Sequence, residues 1–204
     1  MSDAGRRLDP AIGLLEFSSI AAGIVAGDAM AKSAPVSSLF AGTVHPGRYL
    51  VLFGGDTAAV EIALESGGTE TVVDQLLLPN VHPSVITAIT TSQDSALLDG
   101  DALGIIETST TATSIVAADA GVKAADVSLP AVRLADDLGG KAYCLFSGAV
   151  ADVEAAVELA VAVTDPSGKL VGTAVIAQLH REMRDNLAAE LRFNRHLQRG
   201  SGSS

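Results

Sequence analysis

This chain has no tryptophan, two tyrosines and five phenylalanines, so aromatic residues make up 3% of its 204 positions. An aromatic-lined pocket, the usual setting for a small organic ligand, has little material to form from. A single cysteine, Cys144, excludes an intrachain disulfide and any cysteine-rich metal site within one chain. It sits in the apolar run AYCLF and reads as a buried, inert thiol. Basic residues are scarce as well: 13 Lys and Arg stand against 24 Asp and Glu, for a net charge of −11 and a pI near 4.6. Such a surface repels phosphate backbones and argues against a nucleic-acid partner. No apolar run reaches membrane-span length without a charge, since the Ala-rich stretch 149–163 is broken by Asp152, Glu154 and Glu158. The opening MSDAGRRLDP has no apolar core of signal-peptide length. The expectation is a soluble, cytoplasmic protein with no membrane partner.

Catalytic and nucleotide-binding signatures are missing too. There is no GxGxxG, no phosphate loop, no HExxH, no CxxC and no GxSxG. The chain reads as a non-enzyme on these grounds.

What is present is a repetition. Residues 11–37 read AIGLLEFSSIAAGIVAGDAMAKSAPVS, and residues 102–128 read ALGIIETSTTATSIVAADAGVKAADVS. About half of the aligned positions are identical, which marks a duplicated unit of roughly ninety residues. The match resumes with GRYLVLFGG at 47–55 over GKAYCLFSG at 140–148, and with LPNVH at 78–82 over IAQLH at 176–180. Two domains follow, at residues 10–92 and 101–183, joined by a polar stretch near 92–101. A helical extension over 184–199 and a flexible tail over 200–204 come after them. With 48% apolar residues and a mean hydropathy of +0.38, both cores must be built from Ala, Val, Leu and Ile.

Each unit reads β-α-β-β-α-β-α. AIGLLEF is a strand, and Ser18 and Ser19 offer caps for a helix ending at Pro35, with Ile20, Ile24 and Met30 on the sheet side. VSSLFAG and RYLVLFG are strands around a loop, Thr43-Val44-His45-Pro46-Gly47. Asp56 caps a second helix, VVDQLLLP is the fourth strand, and Pro83 starts a short helix. At the end, Leu179, Met183, Leu187 and Leu191 recur at every fourth position as one apolar helix stripe. Arg181, Arg184, Arg192, Arg195 and Arg199 read as its solvated face.

Few residues suggest chemistry. His45, His82, His180 and His196 are far apart in sequence; His82 and His180 are repeat equivalents and read as helix caps. Asp28 with Lys32, and Asp119 with Lys123, repeat an i, i+4 pair. Such a pair is either a surface ion pair or a contact with a partner subunit. Glu16 and Glu107 lie near the ends of the first strands of separate domains, which does not suggest a catalytic carboxylate pair. The copies diverge most in one loop, His-Pro-Gly at 45–47 against Asp-Asp-Leu-Gly-Gly at 136–140, and a loop that diverges between like cores is a place for separate tasks.

These residues resemble bacterial microcompartment shell proteins. AIGLLE and ALGIIE match the family's first strand. GDAMAKSAPV and ADAGVKAADV match its helix, and HPGRYLVLFGGDTAAVEIA and GGKAYCLFSGAVADVEAA match its central loop and strand. The order of elements is that of the unpermuted tandem-domain class, most similar to its members in propanediol-utilisation compartments. The resemblance implies an α+β fold of two ferredoxin-like shell domains, a pseudohexameric homotrimer, and a structural tile without catalysis. Its partners would be hexameric and vertex-forming pentameric shell proteins. It implies a central pore lined by His45, Pro46, Gly47, Asp136, Asp137, Leu138 and Gly139. It also implies tile-edge roles for Lys32 and Lys123, with Asn80 and Gln178 standing where the family often carries an edge arginine. Relatives place a cysteine at the position of His45, and three of these can hold an iron–sulfur cluster; with the thiolate replaced, such a cluster is not expected. A ring of three His45 imidazoles could instead bind a divalent metal such as zinc, or simply line a polar pore that favours small anions once protonated. The rival expectations are a trimeric ferredoxin-like small-molecule sensor, with a pocket between its domains, and a shell protein carrying a metal or redox centre.

Overall fold

The computed structural model describes residues 8, 10–68, 70–91 and 98–189. The first domain contains β1 (Ala11–Phe17), α1 (Ile20–Ser33), β2 (Ser38–Val44), β3 (Arg48–Gly55), α2 (Thr57–Ser66), β4 (Val72–Leu78) and α3 (Pro83–Thr90). The second contains β5 (Ala102–Thr108), α4 (Thr111–Ala124), β6 (Ser128–Leu134), β7 (Ala142–Gly148), α5 (Val150–Thr164), β8 (Leu170–Ala177) and α6 (Arg181–Ala189). The duplicated order of elements read from the sequence is the order observed.

Local chemistry sets the boundaries. Ser19 caps α1 by accepting from the Ala22 N–H, and Asp56 caps α2 by accepting from the Ala58 N–H. His82 and His180 cap the last helix of each unit, each offering Nδ1 to the backbone N–H two residues on. The β2–β3 loop is shorter than its composition suggests. Thr43 and Val44 belong to β2, paired with Tyr49 and Arg48, and only residues 45–47 turn. Leu8, ahead of the first strand, is buried beside Gly54.

Both sheets are antiparallel, with orders β2-β3-β1-β4 and β6-β7-β5-β8. Helices α1 and α2 lie on the first sheet, and α4 and α5 on the second. The glycine of the repeated A-hydrophobic-G strand is what lets the second helix approach. A Cβ at Gly104 would lie 2.7 Å from Val157 Cγ2 and 2.8 Å from Val153 Cγ1; at Gly13 it would lie 2.5 Å from Phe53 Cζ.

One apolar core runs through both domains. Ile12, Leu14, Leu76 and Val85 of the first join Ile106, Ile115, Val132 and Phe146 of the second, and α3 packs on β6 across the boundary. A smaller core lies inside the first domain, around Leu15, Met30, Phe53 and Val60. A third, around Leu98, Leu103, Ala131 and Leu145, is covered by Leu179 and Leu187 of the α6 segment. Met183 of the expected stripe is exposed; Leu191, His196, Arg192, Arg195, Arg199 and the tail lie outside the described residues. Ile20 and Ile24 do not face the sheet. Both are exposed, because α1 seats Gly23, Ala26, Gly27 and Met30 there instead.

Replacing Gly104 by Ala should lower stability by about 1–3 kcal/mol, since α5 must retreat from a full strand. Urea denaturation of wild type and variant measures it.

Candidate functional site

The two divergent turns, from opposite domains, lie side by side. His45 follows β2, and the second turn spans 135–140 after β6. His45 Nδ1 is 3.8 Å from Asp137 Oδ1, too far for a hydrogen bond, and the contact is an ion pair only when the imidazole is protonated. Gly140 has φ +86, and a Cβ there would lie 3.1 Å from Pro46 Cδ and 3.2 Å from Arg48 Cζ. The residues singled out as pore-lining, His45, Pro46, Gly47, Asp136, Asp137, Leu138 and Gly139, thus share one corner of the two-domain unit.

Next to that corner runs the seam between the domains, and it is polar at its edge. Arg48 donates to Glu16 at 2.5 Å, and its Nη1 also reaches the carbonyls of Ser109 at 3.3 Å and Gly140 at 3.4 Å in the other domain. Glu16 is fully buried, and its other oxygen accepts the Thr111 N–H at the start of α4 at 3.0 Å. Beside it in register, Asp74 accepts from the hydroxyls of Thr110 and Thr113 and pairs with Lys169 at 2.5 Å. A helix N-terminus from one domain therefore rests on two carboxylates of the other, where its dipole favours negative charge. Burial lifts the Glu16 carboxyl above the ordinary carboxylate range, against the pull of Arg48 and Thr111. Burial acts the same way on Asp74, but the bonds from Lys169, Thr110 and Thr113 outweigh it and hold this carboxyl below its ordinary value.

Farther along the seam, Asp119 accepts the His82 N–H at 2.8 Å and pairs with Lys123, which also donates to the Asn80 carbonyl at 2.6 Å. The equivalent pair in the first domain, Asp28 and Lys32, forms at 2.6 Å in the open. Gln178, the repeat partner of Asn80, turns the chain between β8 and α6 with φ +55. Sequence reasoning missed Asp74, Lys169, Arg48 and the threonine pair. A signal for them existed: Asp74 aligns with Gly172 and Thr113 with Ala22, differences inside otherwise like units.

Cys144 lies fully buried in β7, and burial pushes its thiol up. The thiolates an iron–sulfur cluster needs are not at the turn, and Cys144 cannot reach it, so these residues do not fit such a group. Among the described residues, no group of three or more His, Cys, Asp and Glu in one chain is placed to hold a metal ion. A groove of about 480 Å³, lined by Phe17, Ala22, Val25, Gly67 and Glu70 among others, lies on the first domain and not between the domains. No helix among the described residues is long and apolar enough to cross a membrane.

Asp74→Ala should cost about 3 kcal/mol near neutral pH, because Lys169 is left without its partner at a buried seam. The lowered carboxyl contributes stability above its ordinary value of 3.8, and this is lost as pH falls through its folded value. The gap between wild type and variant should therefore narrow in acid, as chemical denaturation at a series of pH values would show.

Comparison with known proteins matches this architecture. The BMC domain model fits residues 11–85 and again 102–179. The chain is 43% identical over 179 residues to the bacterial microcompartment shell protein PduT of Citrobacter freundii, covering 86% of this chain and 96% of that one. It is 25% identical to the carboxysome assembly protein CcmO of Synechocystis sp., across 88% of this chain and 65% of that one. The crystal structure of a microcompartment protein from Desulfitobacterium hafniense superposes with a TM-score of 0.75 at 42% identity, covering 86% of this chain and 98% of the other. The fused permuted hexameric shell protein MSM0275 of the RMM microcompartment shares the fold, with a TM-score of 0.55 at 19% identity over 76% of this chain and 81% of its own. With both halves matched by the domain model and a relative at this identity along most of its length, the chain belongs to the BMC-domain family and is a shell protein of a bacterial microcompartment.

Proposed function

We propose that the chain is a structural facet tile, in which three copies close into a ring of six domains around a pore lined by the two turns. It works beside hexameric and pentameric shell proteins and carries out no catalysis. One observation carries this reading. Helices α1 and α4 are repeat equivalents of fourteen residues each, yet α4 buries ten of them and α1 four. Ile115 is fully buried and its counterpart Ile24 is 54% exposed. The same contrast separates covered β4 and β6 from open β8 and β2. Helix α4 and strands β4 and β6, which the two domains cover between them, thus have more open equivalents in α1, β8 and β2. Head-to-tail docking satisfies those surfaces only if the chain meets further copies, and a rotation that closes makes a ring.

The chemistry at the axis follows from the corner. Each chain would bring one imidazole and the carboxylates of Asp136 and Asp137, so the ring is acidic at neutral pH. This reverses the anion preference expected of bare imidazoles. Neutral and cationic solutes should pass more readily than anions. Lys32 with Gln178, and Lys123 with Asn80, would mark the outer edge where neighbouring tiles meet.

Light scattering should give a trimer at micromolar concentration, with larger sheets or co-assembly when hexameric shell proteins are added. A stable monomer would overturn the tile. A structure of the assembled protein should place His45 at the threefold axis. Zinc uptake of one ion per three chains, lost in His45→Ala, would make the ring a metal site; His45 far from the axis would end both the pore and the metal readings.

A further inference from the structure

The chain holds a template for a contact it does not itself make. Three of the directional bonds across its internal seam run from the Thr111 N–H to Glu16, from the His82 N–H to Asp119, and from the Lys123 ammonium to the Asn80 carbonyl. Each of the six groups has a repeat equivalent. Glu107 stands at the register of Glu16: Glu16 faces Leu50 and Asp74 on its two neighbouring strands, and Glu107 faces Tyr143 and Gly172. Ile20, His180, Asp28, Lys32 and Gln178 stand for the others.

These equivalents are prepared but uncovered. Lys141 holds Glu107 at 2.8 Å, as Arg48 holds Glu16, yet the Glu107 side chain is 38% exposed where that of Glu16 is 0%. Asp28 is 62% exposed at its side chain and Asp119 is 6%. His180 caps its helix as His82 does. Around them lie Ile24 and Val25 on α1, and Ile176 on the Gly172 face of β8, all exposed. Apolar side chains and paired polar groups of both kinds are therefore present on two separate faces, each the complement of the other.

We propose that the β5–β8 edge of one copy receives the N-terminal half of α1 from a second copy. Glu107 accepts the Ile20 N–H, Asp28 accepts the His180 N–H, and Lys32 donates to the Gln178 carbonyl. The proposal rests on the ring described above and names the contacts that close it. It also states a difference between seams. Asp74, Lys169 and Thr113 have become Gly172, Thr71 and Ala22 in the equivalent places. The interchain seam therefore lacks a counterpart of the Asp74 carboxylate and of its ion pair with Lys169. Steric room does not account for the change: a Cβ at Gly172 would meet Glu107 Oε2 at 3.7 Å, an ordinary contact. Dilution should separate copies before it opens the seam inside one chain.

The test is sedimentation velocity over a concentration series for wild type, Glu107→Ala and Asp28→Ala, with circular dichroism as the check on folding. Both side chains are exposed in the single chain, so their truncation leaves its core intact. Each variant should raise the dissociation constant by about 30-fold, the lower range for removing one partner of a buried charged hydrogen bond. Circular dichroism should stay unchanged. If wild type is a trimer and both variants dissociate at the wild-type concentration, the contacts are wrong while the ring stands. If wild type is a monomer, the ring fails and this proposal with it.

Discussion

The seating of the α4 N-terminus on Glu16 and Asp74 is the contact around which the two-domain unit is organised. A helix start presents backbone N–H groups and a partial positive charge, and both must be answered when it is buried. Here the answer comes from the other domain. Glu16 takes the Thr111 amide, and Asp74 takes the two threonine hydroxyls. Because those carboxylates are carried on adjacent strands of one sheet, the helix can sit in one place only. That position brings Ile115 into the shared core, lays α3 on β6, and sets the His45 turn against Gly140.

Composition serves this geometry. A tile made of sheets with helices laid flat on them needs close approach, and small residues supply it. Gly13 and Gly104 let the second helix of each unit touch the first strand, and Gly23 and Gly27 let α1 lie close over Tyr49 and Val51 of β3. The scarcity of aromatic residues, which argued against a ligand pocket, is the same fact seen from the packing side. The high apolar content that is not spent inside one chain appears on α1 and β8, where the chain is unfinished.

Duplication followed by divergence has left the two halves alike in fold and unlike in electrostatics. The first copy keeps Asp74 and a short His-Pro-Gly turn; the second keeps Gly172 and an acidic turn one strand end away. The corner where those turns meet is a mixed site, an imidazole facing a carboxylate at 3.8 Å, rather than a ring of one residue type. Neither turn alone carries that property.

Much of this was legible in the sequence. The repeat, the order of strands and helices, the serine, aspartate and histidine caps and the inert Cys144 all depend on residues within a few positions of one another. Periodicity and capping chemistry act at that range and can be read directly. The faces of α1 were misread because Ile20 and Ile24 are apolar, and an apolar residue on a helix does not say whether it packs on its own sheet or on another molecule. The pairing of Glu16 with Thr111 joins residues 95 positions apart, and Asp74 reads as an ordinary strand residue until α4 is placed on it. Long-range contact, burial and the charge environment that follows from them exist only once the chain has folded, so the tertiary structure alone decided which copy of each repeated residue is buried and which is left for a partner.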